Sequence, residues 1–307
     1  MKNIANTTKT IVVSLAVSIL SGCSNSEDTL SPKPIFETEQ QSQNELDLFL
    51  KKEFVDPFGS IIRYKFDDNL LEADQQGTPV KLENVQPIAE LIKKAWITPY
   101  NKASNIGESF LKRNFPAEIV IIGSPILNGD GTRTLGVADS GVRVTLVEGN
   151  AFSLEPGADN SAWINQAFQT LHHEFAHIVD QNFNFDFQQY IQISNEDYSS
   201  PGTWTTVSQE SAIMRGMVSP YATSAVGEDF AEMVAELITT PADVFESRYI
   251  TPEDCTTFSA DGLIDCTRRN EGRQRIQEKV TIITEYLRDD VGIDINVLRD
   301  EFLRGIE

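Results

Sequence analysis

The chain has 307 residues, of which 40% are hydrophobic and 23% are charged, proportions typical of a globular protein with a sizeable core. Its formal net charge of −21 at pH 7 repels phosphate backbones, so no nucleic-acid partner is expected. The acidic balance indicates a well-solvated surface and does not point to a substrate.

The chain begins with the pattern of a secretory signal. Lys2 and Lys9 precede an apolar stretch, and small residues lead up to Cys23. Because the apolar stretch is too short for a spanning helix, residues 1–22 are predicted to be a cleaved signal peptide. The ending Leu20-Ser21-Gly22-Cys23 resembles a bacterial lipobox, which implies lipidation of Cys23. Ordinary cleavage that leaves a free Cys23 is the alternative.

Residues 23–45 are rich in Ser, Gln, Glu and Pro and nearly free of large apolar side chains. Such a composition buries too little surface to fold, so we expect the lipidated Cys23 to be followed by a flexible tether. Glu27 and Asp28 resemble the export signal that sends lipoproteins of Bacteroidota to the outer face of the outer membrane. The expected location is the outer membrane, facing the cell exterior, with its periplasmic face as the alternative.

Residues 46–307 are predicted to form one α+β domain. The predicted elements are, in order, a helix with apolar residues at positions 46, 49, 50 and 54 that ends in the turn at 56–59, a strand at 62–66, a helix at 85–95, and a β-sheet region at 117–147. From about Ser161 onward the pattern is helical. We therefore expect a small β-sheet in the N-terminal half, packed on a mostly helical C-terminal half.

The three histidines of the chain fall within six consecutive positions, in the stretch Leu171-His172-His173-Glu174-Phe175-Ala176-His177. His173 and His177 are four residues apart, so on a helix they leave from one face and can hold one metal ion. Glu174 lies beside the first of them, where it can act as a general base toward water, as in the His-Glu-x-x-His zinc hydrolases. His172 points about 100° away from His173 and is expected at the surface or behind the ligands.

A third ligand is needed, because catalytic zinc takes three protein ligands and keeps one position open. No histidine follows His177, which leaves carboxylates. A downstream predicted helix carries Glu228 and Glu232 on one face, and Asp229 beside them. All three are candidates, and the carboxylate that does not bind metal would orient a ligand histidine. Glu236 is expected to lie on a solvated face.

Two further cysteines, Cys255 and Cys266, lie in a polar stretch with ten residues between them. In an exported chain such a pair is expected to form a disulfide that stabilises a surface loop and has no catalytic role. A cysteine metal site is the less favoured alternative, since no histidine lies near that stretch in sequence.

The His-Glu-Phe-Ala-His helix, the downstream Glu-Asp-Phe-Ala-Glu and the Tyr-Ala before it resemble the zinc metallopeptidase lipoproteins of Bacteroidota. These are also described as substrate import-associated zinc metallohydrolase lipoproteins. The likeness extends over nearly the whole mature chain and implies a zincin-like (gluzincin) fold, one Zn²⁺ per chain and association with SusC/SusD-type complexes of TonB-dependent uptake. It also implies Glu228 as the third zinc ligand and Glu174 as the base, with Asp229 and Glu232 as alternatives for the ligand or as neighbours behind it.

More distantly, the interval of seven residues between Tyr221 and Glu228 resembles the active site of anthrax lethal factor. There, a tyrosine seven residues before the zinc glutamate stabilises the developing oxyanion. The resemblance implies that Tyr221 assists catalysis in the same way.

The expected activity is therefore hydrolysis of peptide bonds in a peptide or protein substrate. The segment Val142–Val147 is a candidate edge strand on which an extended substrate would align. Two alternatives stand beside this function. One is a lipoprotein of a glycan or peptide uptake complex that retains zinc without turnover, which the intact Glu174 disfavours. The other is a structural outer-membrane lipoprotein with an incidental motif, which the clustering of all three histidines disfavours.

Overall fold

The structure is a computed structural model that describes residues 44–129, 133–134, 136–139, 142–257 and 260–307. The predicted signal peptide, the lipidated Cys23 and the tether up to residue 43 lie outside these residues. The first helix begins at Glu45 and is capped by Asn44, whose side-chain oxygen accepts a hydrogen bond from the backbone N–H of Asp47. The first helix therefore starts one residue before position 46, the first apolar position of the predicted helical pattern.

The described strands all lie in the N-terminal half of the chain. They are β1 (Ile61–Arg63), β2 (Glu118–Ile121), β3 (Ile126–Leu127), β4 (Arg133–Thr134), β5 (Gly136–Asp139) and β6 (Arg143–Leu146). A four-stranded sheet has the order β1-β2-β6-β5, in which β1, β2 and β6 are parallel and β5 is antiparallel to β6. The short strands β3 and β4 form a separate antiparallel pair.

The predicted edge strand at Val142–Val147 corresponds to β6, which lies inside the sheet between β2 and β5. Val144, Thr145 and Leu146 are all buried, as is typical of a strand that is covered on both faces. The edges of the sheet are β1 and β5, so the prediction of an edge at Val142–Val147 was wrong.

The helices occupy most of the remaining chain. They are α1 (Glu45–Leu50), α2 (Asp56–Phe58), α3 (Leu82–Ile92), α4 (Thr98–Ala103), α5 (Glu108–Asn114), α6 (Ser161–Phe183), α7 (Phe187–Gln192), α8 (Gln209–Met214), α9 (Val226–Thr239), α10 (Ala242–Phe245), α11 (Ala260–Tyr286) and α12 (Ile295–Ile306). Single π-helical turns lie at Lys51–Val55, Lys93–Ile97, Glu246–Ile250 and Leu287–Val291, and 3₁₀ turns at Asp68–Leu70, Asn195–Asp197, Trp204–Thr206, Tyr221–Ser224 and Cys255–Thr257. After β6 the described residues form helices and turns but no strand, so the prediction of an α+β fold is confirmed.

The long helix α6 packs along α9, and the two run antiparallel. Near one end of the pair Thr239 donates a hydrogen bond to the side-chain oxygen of Gln169 at 2.6 Å, and near the other end His177 lies against Glu228. The sheet meets α6 through β5 and β6. The main hydrophobic core surrounds this helix pair and includes Phe168, Leu171, Phe175, Phe230, Val234 and Phe302.

None of the helices within the described ranges is both long enough and apolar enough to cross a membrane.

Candidate metal centre

His173 and His177 lie one turn apart on α6, with ring centroids 5.0 Å apart. The helix is held in place by its opposite side, where Phe168, Leu171 and Phe175 are buried in the core. The two imidazoles therefore project toward α9, as the spacing of four residues predicts.

Helix α9 brings Glu228 to both histidines. Its Oε2 atom lies 3.0 Å from His173 Nε2 and 3.5 Å from His177 Nε2. Ligand atoms that share one tetrahedral zinc ion at about 2.0–2.1 Å are about 3.3 Å apart, so these distances suit a common metal. Two imidazole nitrogens and one carboxylate oxygen are also a ligand set that catalytic zinc sites use.

Glu174 lies close to the same place, because ligand atoms of His173, Glu174 and His177 are all within 4.8 Å of one another. Two carboxylates therefore compete for the role of third ligand. Glu228 is the better choice, since its oxygen approaches both Nε2 atoms, whereas Glu174 leaves the helix about 100° from His173. Glu174 is then free to act on water.

A chain of hydrogen bonds extends from the Nδ1 atom of His173 to Glu232 and Ser219. Its Nδ1 lies 2.7 Å from Glu232 Oε1, and Ser219 Oγ donates to Glu232 Oε2 at 2.6 Å. Ser219 Oγ also accepts a hydrogen bond from the backbone N–H of Ala222 at 3.0 Å. A carboxylate on Nδ1 fixes the proton there and directs the lone pair of Nε2 toward a metal. Glu232 occupies the predicted orienting position, whereas Ser219 belongs to no motif and was not predicted.

The carboxylates strongly polarise the centre. Burial alone would lower the pKa of His173, but its hydrogen bonds with Glu228 and Glu232 outweigh burial and raise this pKa to about 10. Burial pushes the pKa of Glu228 upward, yet the hydrogen bonds with His173 and His177 hold it well below its usual range. Burial raises the pKa of Glu174, with the two histidines opposing the rise. The carboxylate against both imidazoles is thus kept ionised, and Glu174 is the stronger proton acceptor of the two.

Tyr221 lies in the 3₁₀ turn just before α9, with its ring centroid 5.8 Å from that of His173. Its side chain is partly open to solvent, with 37% of the residue exposed. Burial raises the pKa of its phenol, and a hydrogen bond and negative charge from Glu228 raise it further. The structure thus brings Tyr221 to the predicted ligand set with its hydroxyl protonated at neutral pH.

Asp229 does not belong to the centre, although the sequence left it as a candidate ligand or neighbour. Its side chain is fully buried on another side of α9, where Lys279 Nζ lies 2.6 Å from Oδ2. Tyr198 donates to the same oxygen at 2.8 Å. Adjacent residues on a helix point about 100° apart, so only one member of the Glu228–Asp229 pair can face the histidines.

His172 and Glu236 also differ from expectation. His172 is fully buried among core aromatic residues, with Nδ1 3.3 Å from the hydroxyl of Tyr100, and burial lowers its pKa to about 3. It is therefore a neutral core residue and not a surface residue. Glu236 is largely buried and accepts hydrogen bonds from Arg248 and Tyr249 at 3.1 and 3.0 Å, so its face of α9 is covered.

The structure joins Cys255 to Cys266 in a disulfide. Cys255 lies in a 3₁₀ turn, but Cys266 is buried within α11, so the bond ties a turn to a helix and does not close a free loop.

Comparison with known proteins agrees with a zinc-binding role for this chain. Residues 39–296 match the family model described as "Putative zinc-binding metallo-peptidase". A crystal structure described as "a putative zinc-binding metallo-peptidase from Bacteroides caccae ATCC 43185" is 27% identical, with a TM-score of 0.66, covering 88% of this chain and 95% of that chain. No curated protein sequence matches the chain. Because the family model spans most of the sequence, this chain belongs to that family of zinc-binding metallopeptidases.

Proposed function

We propose that this protein cleaves peptide bonds with one Zn²⁺ held by His173, His177 and Glu228. The observation that carries the proposal is the approach of Glu228 Oε2 to both Nε2 atoms, at 3.0 and 3.5 Å. A zinc ion held by these three residues would supply positive charge, which would acidify water and polarise a substrate carbonyl. The proton transfers and the alignment of groups fall to the protein.

Glu174 is the general base in this mechanism. Its carboxylate accepts a proton from the attacking water and later delivers that proton to the nitrogen of the leaving amine. The upward shift of its pKa by burial supports the role, because a more basic carboxylate removes the proton more readily. The hydroxyl of Tyr221 donates a hydrogen bond to the substrate oxygen as negative charge develops there. Glu232 holds the ring of His173 through Nδ1.

We propose β5 as the strand with which a peptide substrate aligns. β5 is an edge of the sheet and contacts α6, which carries both histidines and Glu174. An extended peptide that adds to an edge strand gains main-chain hydrogen bonds in a fixed register. In this proposal β5 takes the substrate-aligning role that the sequence had suggested for Val142–Val147.

We place the enzyme on the outer membrane, facing the cell exterior and anchored through lipid on Cys23. The sequence supports this through Leu20-Ser21-Gly22-Cys23 and the acidic pair Glu27 and Asp28. We further propose that it works beside a SusC/SusD-like complex of TonB-dependent import. Cys23→Ala is expected to leave an unprocessed precursor, and added protease is expected to remove the wild-type domain from intact cells. A soluble protein with or without Cys23 would refute the anchor.

A protein that binds zinc without turnover remains the competing function. Such a protein would have no use for Glu174 as a base. Glu174 lies beside the ligands and makes no hydrogen bond to either histidine within the described residues, and its pKa is raised. The experiment that separates the two functions is therefore the substitution Glu174→Gln, which keeps the shape of the side chain and removes its basicity.

Wild-type protein, Glu174→Gln and the exposed control Glu271→Gln would be compared for zinc content and for cleavage of a peptide library. We expect about one zinc per chain in all three, and a fall in cleavage by roughly two to four orders of magnitude only for Glu174→Gln. A wild-type protein that holds zinc and cleaves no member of the library would favour the binding function. Loss of zinc from Glu174→Gln would mean that Glu174 is a zinc ligand and that its assignment as the base is wrong.

A further inference from the structure

The ring of Trp204 packs against the ring of Tyr221. The two rings meet edge to face, with centroids 4.9 Å apart and planes at 72°, and the ring of His173 lies 5.8 Å from Tyr221. Trp204 is half-buried and belongs to none of the hydrophobic clusters of the described residues. Its one ring contact in that part of the chain is Tyr221. A large aromatic side chain placed here therefore contributes little to the core.

The segment that carries Trp204 is firmly attached to the elements around the centre. Tyr198 donates to the Asp229 carboxylate of α9 at 2.8 Å. The backbone N–H of Ser199 donates to the carbonyl of Thr223 at 2.7 Å, and the hydroxyls of these two residues lie 2.9 Å apart. Since Thr223 belongs to the same 3₁₀ turn as Tyr221, the segment and the tyrosine are held in one frame.

The segment is also held together by hydrogen bonds between its own residues. Thr203 Oγ1 donates to the carbonyl of Ser200, and Thr206 Oγ1 donates to the carbonyl of Thr203, both at 2.8 Å. These bonds bracket the 3₁₀ turn Trp204–Thr206, whose end is closed by a hydrogen bond from the Val207 N–H to the carbonyl of Trp204. Val207 and Tyr198 pack against a small buried cluster of Ala212, Met217 and Ala222. The backbone that carries the indole is thus held in place by contacts within the protein itself.

We propose that Trp204 is a positioning residue for Tyr221. Its indole packs against the phenol ring, so that Tyr221 stays in contact with His173 and keeps its hydroxyl beside Glu228. The proposal rests on the proposed function, because it takes Tyr221 to serve the reaction. Tyr221 needs such support, since it is partly exposed and stands in a turn of only four residues. A displacement of about 1 Å in a catalytic group can cost on the order of 100-fold in rate.

The kinetic test uses Trp204→Ala, the conservative control Trp204→Phe, Tyr221→Phe, and the double variant of Trp204→Ala with Tyr221→Phe. The substrate is the library peptide that the wild-type enzyme cleaves fastest, and zinc affinity is measured by competition with a chromophoric chelator. Trp204→Ala is expected to lower kcat by roughly 10- to 100-fold, with KM and zinc affinity within about twofold of wild type. Trp204→Phe is expected to retain most of the activity.

In the Tyr221→Phe background the same Trp204→Ala change is expected to cost less than about threefold, because its effect passes through the missing hydroxyl. Equal decreases in kcat in both backgrounds, or a change confined to KM, would overturn the proposal. Either result would indicate that Trp204 contacts the substrate directly. Full activity in Tyr221→Phe would instead refute the proposed role of the tyrosine.

A crystal structure of Trp204→Ala supplies a test that needs no turnover. The ring of Tyr221 is expected to leave its position beside His173 or to occupy several positions, while His177 and Glu228 stay in place. In Trp204→Phe it is expected to stay. A Tyr221 ring that is unmoved and well defined in Trp204→Ala would overturn the proposal even if no peptide substrate is found.

Discussion

Replacing Glu232 by alanine isolates the contribution of the carboxylate behind the metal ligands. Its Oε1 atom lies 2.7 Å from Nδ1 of His173, and both side chains are largely buried, 14% and 8% exposed. In Glu232→Ala the buried Nδ1–H loses its acceptor, and the ring loses the bond that directs Nε2 toward the metal. Loss of such a partner lowers metal affinity by roughly 10- to 100-fold. This corresponds to about 1.4 to 2.7 kcal/mol of binding free energy.

The matched control is Glu236→Ala, one turn further along α9. Glu236 makes comparable hydrogen bonds, to Arg248 and Tyr249, but none to a histidine. Both substitutions therefore remove a largely buried glutamate from the same helix, and only one touches the centre. Zinc affinity would be measured for both by competition with a chromophoric chelator, and folding by thermal denaturation.

We expect weakened zinc binding for Glu232→Ala and unchanged zinc binding for Glu236→Ala. Equal zinc affinity in the wild type and Glu232→Ala would refute the reasoning, because the bond to His173 would then contribute nothing to the metal. Equal weakening in the two variants would also refute it, since the loss would then come from a disturbed α9 helix.

Three further predictions follow from the same structure. Glu228→Ala is expected to weaken zinc binding by more than about 100-fold, whereas Asp229→Asn leaves it within about threefold. The reverse result in the chelator assay would show that Asp229, and not Glu228, is the zinc ligand. Lys279→Met strands the buried Asp229 carboxylate, so the free energy of unfolding in urea should fall by about 3 to 5 kcal/mol, and the pair Lys279→Met with Asp229→Leu should recover most of it. Replacing Cys255 and Cys266 by alanine removes a cross-link between positions 11 residues apart, so stability should fall by up to about 3 kcal/mol, and an unchanged denaturation midpoint would contradict the pairing.

The parts of the centre that follow from local spacing could be predicted from the sequence. Two histidines four residues apart on an amphipathic helix must share a face, and Glu174 must stand beside that face. The end of the first helical stretch could also be predicted from local sequence. Gly59 adopts a φ of +69° at its C-terminal cap, where glycine is favoured. In each case a few neighbouring residues determine the result.

Features that depend on distant partners could not be predicted in the same way. β6 lies inside the sheet because the short strand β5 pairs with its free side, and strand order is a tertiary property. His172 is buried because Tyr100, 72 residues earlier in the chain, packs over it. Ser219 and Trp204 are common residue types outside any motif, and their contacts with Glu232 and Tyr221 appear only when separate turns meet.

The adjacent acids Glu228 and Asp229 show why the third ligand needed more than residue type. Both lie in the first turn of α9, and the sequence offers no difference in charge between them. Folding gives them opposite surroundings: the histidines keep the pKa of Glu228 low, whereas complete burial raises the pKa of Asp229 despite its ion pair with Lys279. Lys279 is 50 residues away in sequence and also donates to the backbone carbonyl of Gly216 at 2.8 Å, so it fixes the side of α9 that faces the core. Turning α9 by one residue would place Asp229 at the histidines and Phe230 against the buried amine of Lys279, and the lost bonds to Lys279 and Tyr198 make that arrangement costly. The carboxylate that meets the histidines is therefore determined in part by the buried charge of Lys279 on another side of the same helix.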